Sequence, residues 1–211
     1  MLNVTSLQCI RGDRSLFQDL SFELSAGELM HLVGHNGSGK TTLLRTLAAL
    51  AEPAAGTVAW DGKSIDDLQE EYTGNVLYIG HKNAIKDDLT AIENLQIACV
   101  LDGSPVAEDH VWQALAKIGL KGFEDLPTRV LSQGQKRRVS LARLLLSKTR
   151  LWILDEPFVA LDKAAVSLLQ QVLRKHIEAG GMAIITTHQD VELITDQVKC
   201  LELGWKKQGR V

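Results

Sequence analysis

Apolar and polar positions alternate in two stretches near the start of the chain. Leu2 and Val4 alternate with polar neighbours, and Leu20, Phe22 and Leu24 do so strictly. A period of two predicts strands with one buried face. Ala26-Gly27-Glu28 then turns the chain into Leu29-Met30-His31-Leu32-Val33, a short, mostly apolar run that reads as a buried strand. Residues 42–50 predict a helix, and residues 56–60 another short strand ending at Asp61-Gly62, a hairpin-type turn. Val76-Leu77-Tyr78-Ile79 is apolar throughout, as in a strand covered on both faces.

From about residue 84 to residue 148 the period changes to that of helices. Thr90 followed by Glu93 forms a capping box, and Ser132 followed by Gln135 forms a second. Val111, Leu115 and Ile118 recur at i, i+4, i+7, with Gly119 as the stop. Val139, Ala142 and Leu146 share one face of the helix that Ser132 opens. Strand character returns at Leu151-Trp152-Ile153-Leu154. Asp162 caps a helix carrying Val166, Leu169 and Leu173, which stops at Gly180-Gly181 before the strand Met182-Ala183-Ile184-Ile185-Thr186. Strand–helix alternation implies a parallel sheet that binds ligands at the carboxyl ends of its strands. The expected fold class is α/β, with N-terminal strands and a helical lobe at 84–148 inserted into a core made of 1–83 and 149–211.

Composition narrows the picture. At 211 residues the chain is one domain, or one domain with an inserted lobe. Its net charge of −3 provides no global basic field, and no nucleic-acid partner is expected. Cys9, Cys99 and Cys200 lie far apart without metal-binding spacing, and so sparse and odd a count suits a reducing compartment. The first residues lack the layout of a signal peptide, and no apolar run approaches the ~20 residues of a membrane span. A soluble, cytoplasmic chain is expected, one able to sit on a membrane through a partner.

The chemistry begins between the strand at 29–33 and the helix at 42–50. Gly34-His35-Asn36-Gly37-Ser38-Gly39-Lys40-Thr41-Thr42 fits G-x-x-x-x-G-K-[ST] in the strand–loop–helix context that a phosphate-binding loop requires. Glycines let successive N–H groups turn inward toward phosphate oxygens, and the helix N-terminus adds partial positive charge. Lys40 is expected to reach the β- and γ-phosphates, and the Thr41 hydroxyl to ligate Mg²⁺. Asp155, at the end of a buried strand, can hold Mg²⁺ or its water, and Glu156 beside it can polarise an attacking water. His188, just past another core strand, can stabilise charge developing on the γ-phosphate. Ser132-Gln133-Gly134-Gln135 is either a plain capping box or a second phosphate site at a helix N-terminus. The basic cluster Lys136-Arg137-Arg138 with Arg143 reads as a solvated helix face, since no aromatic residues interleave with it.

In this order, GHNGSGKTT, LSQGQKRR, LWILDEP, VALD and His188 resemble the nucleotide-binding subunit of ATP-binding-cassette transporters over nearly the whole chain. The resemblance implies a phosphate-loop ATPase core of cassette type. It also implies a head-to-tail dimer that sandwiches two ATP molecules. Each ATP would lie between residues 34–42 of one subunit and Ser132, Gly134 and Gln135 of the other. Glu156 would be the catalytic base, His188 the switch histidine, and Asp162 a residue signalling across the dimer. Three departures stand out. Gln133-Gly134 replaces the usual Gly-Gly. His81 stands where the family usually has a Gln that senses Mg²⁺ and the membrane partner, which makes it a candidate metal neighbour. Arg11 stands where an aromatic usually stacks on adenine.

Arg11-Gly12-Asp13-Arg14, His81, LSQGQKRRVSLARL and LWILDEPFVALD resemble more narrowly the ATP-binding subunits of the bacterial cytochrome c maturation system, a haem-exporter family. That likeness implies a separate membrane-spanning transporter subunit as partner, with the chain peripheral on the cytoplasmic face of the inner membrane. It implies ATP hydrolysis energising haem export or release of a haem-loaded chaperone. The alternatives are the ATPase of another small transporter, or a soluble cassette acting on nucleic acid or ribosomes. Such soluble proteins usually carry two cassettes or a long coiled-coil insertion, and this sequence has neither. A GTPase switch would need an N-K-x-D guanine reader, which is absent.

Overall fold

The computed structural model describes residues 1–188 and 198–204. Two sheets form its frame. In the first, β1 (Leu2–Arg11) lies between β2 (Arg14–Leu24) and β4 (Ala55–Trp60), and β5 (Lys63–Ser64) is the edge, all pairs antiparallel. The β4–β5 turn is Asp61-Gly62, with φ of 49° and 85°, the positive pair that a two-residue hairpin turn needs. In the second sheet the order is β6 (Val76–Ile79), β7 (Leu151–Leu154), β8 (Met182–Ile185), β3 (Leu29–Val33), β9 (Val198–Glu202), every pair parallel.

Because side chains alternate across a strand, this sheet divides the apolar residues into two cores. Leu151 and Ile153 of β7, Met182 and Ile184 of β8, and Met30 and Leu32 of β3 face one way. They pack with Leu43, Leu44 and Leu47 of α1 (Lys40–Leu47) and with the inner face of the antiparallel sheet. Trp152, Leu154, Ala183 and Ile185 face the other way, toward the remaining helices. All residues of β7 and β8 are buried, which explains their unbroken apolar runs.

The helical block is α4 (Ala91–Leu101), α5 (Glu108–Lys117) and α6 (Gln133–Leu146), each packed on the other two. Both capping boxes form as expected: Glu93 N donates to Thr90 Oγ1 at 3.1 Å, and Gln135 N to Ser132 Oγ at 3.2 Å. Asp162 caps α7 (Lys163–Glu178) through the Ala165 N–H at 2.9 Å. Two short helices between β5 and β6, α2 (Ile65–Leu68) and α3 (Glu70–Thr73), carry no period long enough to read in sequence. The helix expected over 42–50 stops at Leu47, where Ala49 turns to a φ of 55°. Residues 189–197 and 205–211 of the expected core lie outside the described residues.

The basic cluster is not a solvated face. Lys136 pairs with Asp87 at 2.5 Å, Arg138 with Asp162 at 2.5 Å and Arg143 with Asp102 at 2.8 Å. Arg137 is only 3% exposed. These cations hold the helical block together and onto the core, because α6 lies between α4, α5 and α7 and leaves them little solvent-facing surface.

Candidate functional site

The carboxyl ends of β3, β6, β7 and β8 point to one side of the parallel sheet, so the segments that follow them converge. These are the glycine loop, Gly80-His81, Asp155-Glu156 and Thr186-Thr187-His188. Between them opens a cleft of about 640 Å³. Its walls include Asn36, Gly37, Gly39, Lys40, Thr41 and Thr42 of the loop, together with His81, Asp155, Glu156, Val159 and His188; Arg11 and Leu16 of the antiparallel sheet complete it.

The loop's shape depends on two glycines. A Cβ at Gly34, whose φ is 153°, would sit 2.5 Å from the carbonyl oxygen of Leu203, just past β9. One at Gly39, with φ 102°, would press on Leu16 and Phe17 at 3.1 Å. Helix α1 starts without a side-chain cap, whereas α4, α6 and α7 each have one. Its first amides therefore lack the side-chain acceptor that those three helices supply from within the chain, as do those of α5. Ser38 Oγ, buried and without a hydrogen-bond partner, is a second donor suited to an anion. Lys40 Nζ donates to the carbonyls of Gly34 at 2.6 Å and His35 at 3.3 Å, curling back over the loop.

A hydrogen-bonded chain links the loop to the other strand ends. Thr41 Oγ1 donates to Asp155 Oδ2 at 2.8 Å, and Thr186 Oγ1 donates to Asp155 Oδ1 at 2.8 Å. The Glu156 N–H donates to Thr186 Oγ1 at 2.9 Å, and the His188 N–H to Glu156 Oε2 at 3.3 Å. Glu156 Oε1 makes no hydrogen bond, and His188 Nε2 stands 3.5 Å from it. The Glu156 backbone has φ 51°, a left-handed conformation costly for a residue with a Cβ. Chemically this is a hydroxyl and a carboxylate oxygen side by side, suited to a hard cation. Next to them is a second carboxylate with a free acceptor lone pair, backed by an imidazole.

A hard cation fits this donor set. Among the described residues there is no cluster of three or more His, Cys, Asp or Glu able to cage an ion. Mg²⁺ bound with substrate phosphates needs only one or two protein oxygens, such as those of Thr41 and Asp155. His81 lines the same cleft and is exposed.

Of the loop, Gly34, His35 and Ser38 do not line the cleft, and four residues singled out elsewhere in the sequence also lie outside it. Ser132 is exposed at the N-terminus of α6, and Gly134 and Gln135 follow it there. A Cβ on Gly134 would lie 2.7 Å from the Ala160 carbonyl oxygen, so of the pair Gln133-Gly134 the glycine is kept where backbone approaches closely. Asp162 is exposed at the start of α7. The Ala165 N–H, with Arg138 alongside, holds its carboxyl below the usual carboxylate range. No Phe, Tyr or Trp side chain lines the cleft among the described residues; Arg11 and Leu16 are there, and Phe17 is packed under Gly39 instead.

Sequence reading missed two residues. Thr186 bridges Asp155 and Glu156 and is fully buried; nothing local distinguishes it from any strand threonine. Arg137 donates to the carbonyls of Gly80 (3.0 Å), Asp155 (3.1 Å) and Glu156 (2.8 Å) and to Asn83 Oδ1 (3.3 Å). Burial pulls its pKa down, while the nearby Asp155 and Glu156 charges raise it again. Here a signal existed: Arg137, Ser140, Leu141 and Leu144 are all buried at i, i+3, i+4, i+7, so the arginine sits on the inward stripe of α6.

The family model described as ABC transporter matches residues 17–159. The cytochrome c biogenesis ATP-binding export protein CcmA of Nitrosomonas europaea is 53% identical, over 97% of this chain and 96% of that protein. Its namesake from Vibrio cholerae is 47% identical, over 97% and 99%. The solved structure of an ATP binding subunit of an ABC transporter superposes with a TM-score of 0.80 at 28% identity, over 89% of this chain and 79% of that one. A dimeric ATP-binding cassette in a post-hydrolysis state bound to ADP and Pi gives a TM-score of 0.79 at 24% identity, over 90% and 88%; that likeness is one of fold.

Proposed function

Since the chain belongs to the ABC transporter family, among the cytochrome c biogenesis ATP-binding export proteins, we propose that it energises haem export, or release of a haem-loaded chaperone, during c-type cytochrome maturation. The chain is an ATP hydrolase coupled to transport. Its partner in this reading is a membrane-spanning transporter subunit, on which it sits at the cytoplasmic face of the inner membrane. No helix among the described residues is long and apolar enough to cross a membrane, in keeping with attachment through a partner. The observation that carries the haem assignment is the 53% identity, extending over 97% of the chain, to a cytochrome c biogenesis export protein.

In the proposed mechanism the ATP polyphosphate occupies the loop from Gly34 to Thr42. The loop's amides and those opening α1 bind it, and Lys40 exchanges its Gly34 and His35 carbonyls for β- and γ-phosphate oxygens. Mg²⁺, held by Thr41 Oγ1 and Asp155 with His81 nearby, would supply charge neutralisation between the phosphates. Glu156 Oε1, which makes no hydrogen bond in this structure, accepts the proton of the attacking water. His188 Nε2 donates toward the γ-phosphate as negative charge builds there. Ser132, Gly134 and Gln135 lie outside the cleft of their own chain, which supports a head-to-tail pair in which each copy closes the other's site, with Asp162 beside the junction.

Glu156→Gln tests this. It preserves shape and removes the base, so hydrolysis should fall by about 10²–10⁴-fold while MgATP still binds and dimer accumulates. A variant that stays monomeric at saturating MgATP, with the membrane subunit present, would refute the sandwich. The haem assignment is tested separately: cells whose only copy carries Glu156→Gln should lose c-type cytochromes. Normal cytochrome levels there would remove the haem reading and leave the ATPase.

A further inference from the structure

Among the described residues, Arg137 is the one buried charge near the cleft that takes no part in the mechanism above. It leaves α6 five residues after Ser132, and its guanidinium reaches four acceptors on two segments, 80–83 and 155–156. None of the four is a carboxylate oxygen: three are main-chain carbonyls and one is the Asn83 side-chain amide oxygen. Its Nε is left without a partner. Burying a guanidinium against neutral acceptors is a poor way to gain stability, and an apolar side chain on this inward stripe would serve packing better.

The main chain that it grips explains the choice. Glu156 is held in a left-handed backbone conformation, which persists only where its surroundings over-determine it. Thr186 fixes the peptide on the N–H side of Glu156, and Arg137 fixes it on the carbonyl side. The other half of the guanidinium holds Gly80, the residue before His81, and Asn83. We propose that Arg137 is a positioning residue for ATP hydrolysis, clamping the Glu156 main chain to α6 and to the segment around His81 so that the Glu156 carboxylate is aimed at the attacking water. The helix end that carries Ser132 is thereby tied, through one side chain, to the subunit's own Glu156. The proposal rests on the reading of Glu156 as the base.

Arg137→Lys tests it. Lysine keeps the positive charge but presents it as a point, without the planar fork that lets Nη1 and Nη2 serve different strand ends. In the complex with its membrane partner, kcat should fall at least about tenfold, while the Kd for ATP and the KM stay within about twofold. In a Glu156→Gln background the same substitution should change residual hydrolysis by less than about twofold, because both changes act on one group. A kcat near that of the original chain overturns the proposal. So do losses that multiply across the two backgrounds, since these mark a general effect on the fold. If hydrolysis survives Glu156→Gln alone, the assignment of the base falls and this inference with it. Intact hydrolysis in Arg137→Lys beside lost hydrolysis in Glu156→Gln removes the inference only. Should Arg137→Lys fail to fold, Asn83→Ala trims one hydrogen bond and leaves the guanidinium buried. It should lower kcat by about threefold at unchanged KM, and an unaltered kcat counts against the clamp.

Discussion

Thr186→Val removes one hydroxyl and keeps the shape of a fully buried side chain. That hydroxyl makes two bonds: it donates to Asp155 Oδ1 at 2.8 Å and accepts from the Glu156 N–H at 2.9 Å. A hydrogen bond to a carboxylate contributes ~1.5–3 kcal/mol, and a buried N–H left unpaired costs ~1–3 kcal/mol. The two share one atom and do not add fully, so about 3 kcal/mol is the expected loss of stability. For a chain of this size that corresponds to a fall in Tm of roughly 6–12 °C. Function should suffer as well. Freed on one side, Asp155 turns about its bond to Thr41 Oγ1, and hydrolysis should need more Mg²⁺ for half-maximal rate. Urea titration measures the first effect as a shift of midpoint at unchanged slope, and a Mg²⁺ titration of ATPase rate measures the second. Thr186→Ser restores the hydroxyl and should recover most of both. A Thr186→Val midpoint within about 0.5 kcal/mol of the original would show that the bridge is dispensable, refuting the account of how these strand ends are held.

Two further outcomes follow from the packing. His176 stacks on Trp152 with ring centroids 3.7 Å apart and an interplanar angle of 5°, and its Nε2 lies 3.1 Å from the Met182 carbonyl; burial, its largest influence, pushes its pKa below the ordinary value. The folded chain thus binds this proton less tightly than the unfolded chain does. Stability from His176 is complete above the unfolded pKa of ~6.5 and is lost as pH falls below it, by at most ~1.4 kcal/mol per unit, levelling off below the folded pKa. Stability curves of the original chain and His176→Gln from pH 7.5 to 5 should diverge on the acid side, and parallel curves would contradict this. Gly134→Ala places a Cβ 2.7 Å from the Ala160 carbonyl, a backbone atom that cannot move alone. It should cost about 1–3 kcal/mol of stability and weaken ATP-dependent dimer formation, measured by light scattering; an unaltered dimer and midpoint would show that the two segments separate freely.

Much of this protein is determined within short windows of sequence. A glycine loop, a helix cap or a two-residue hairpin turn is closed by residues within about eight positions of one another, so the phosphate loop, both capping boxes and the Asp61-Gly62 turn follow from local rules. The unbroken apolar runs at 151–154 and 182–185 likewise require a sheet covered on both faces. The strand β9 was not legible in sequence, because it is defined by its pairing with β3, more than 160 residues away. The roles of the polar residues divide in the same way. Asp155 and Glu156 show their chemistry by standing next to each other, whereas Thr186 acquires a role only because β7 and β8 are neighbours in the sheet. The cluster Lys136-Arg137-Arg138 looks like a charged surface when read along the chain. Its environment is decided by what α6 packs against, and that is set by the order of strands beneath it. Hydrogen bonds and burial act over about 3 Å in space, and only the tertiary structure brings residues 80, 137, 155, 156 and 186 within that reach.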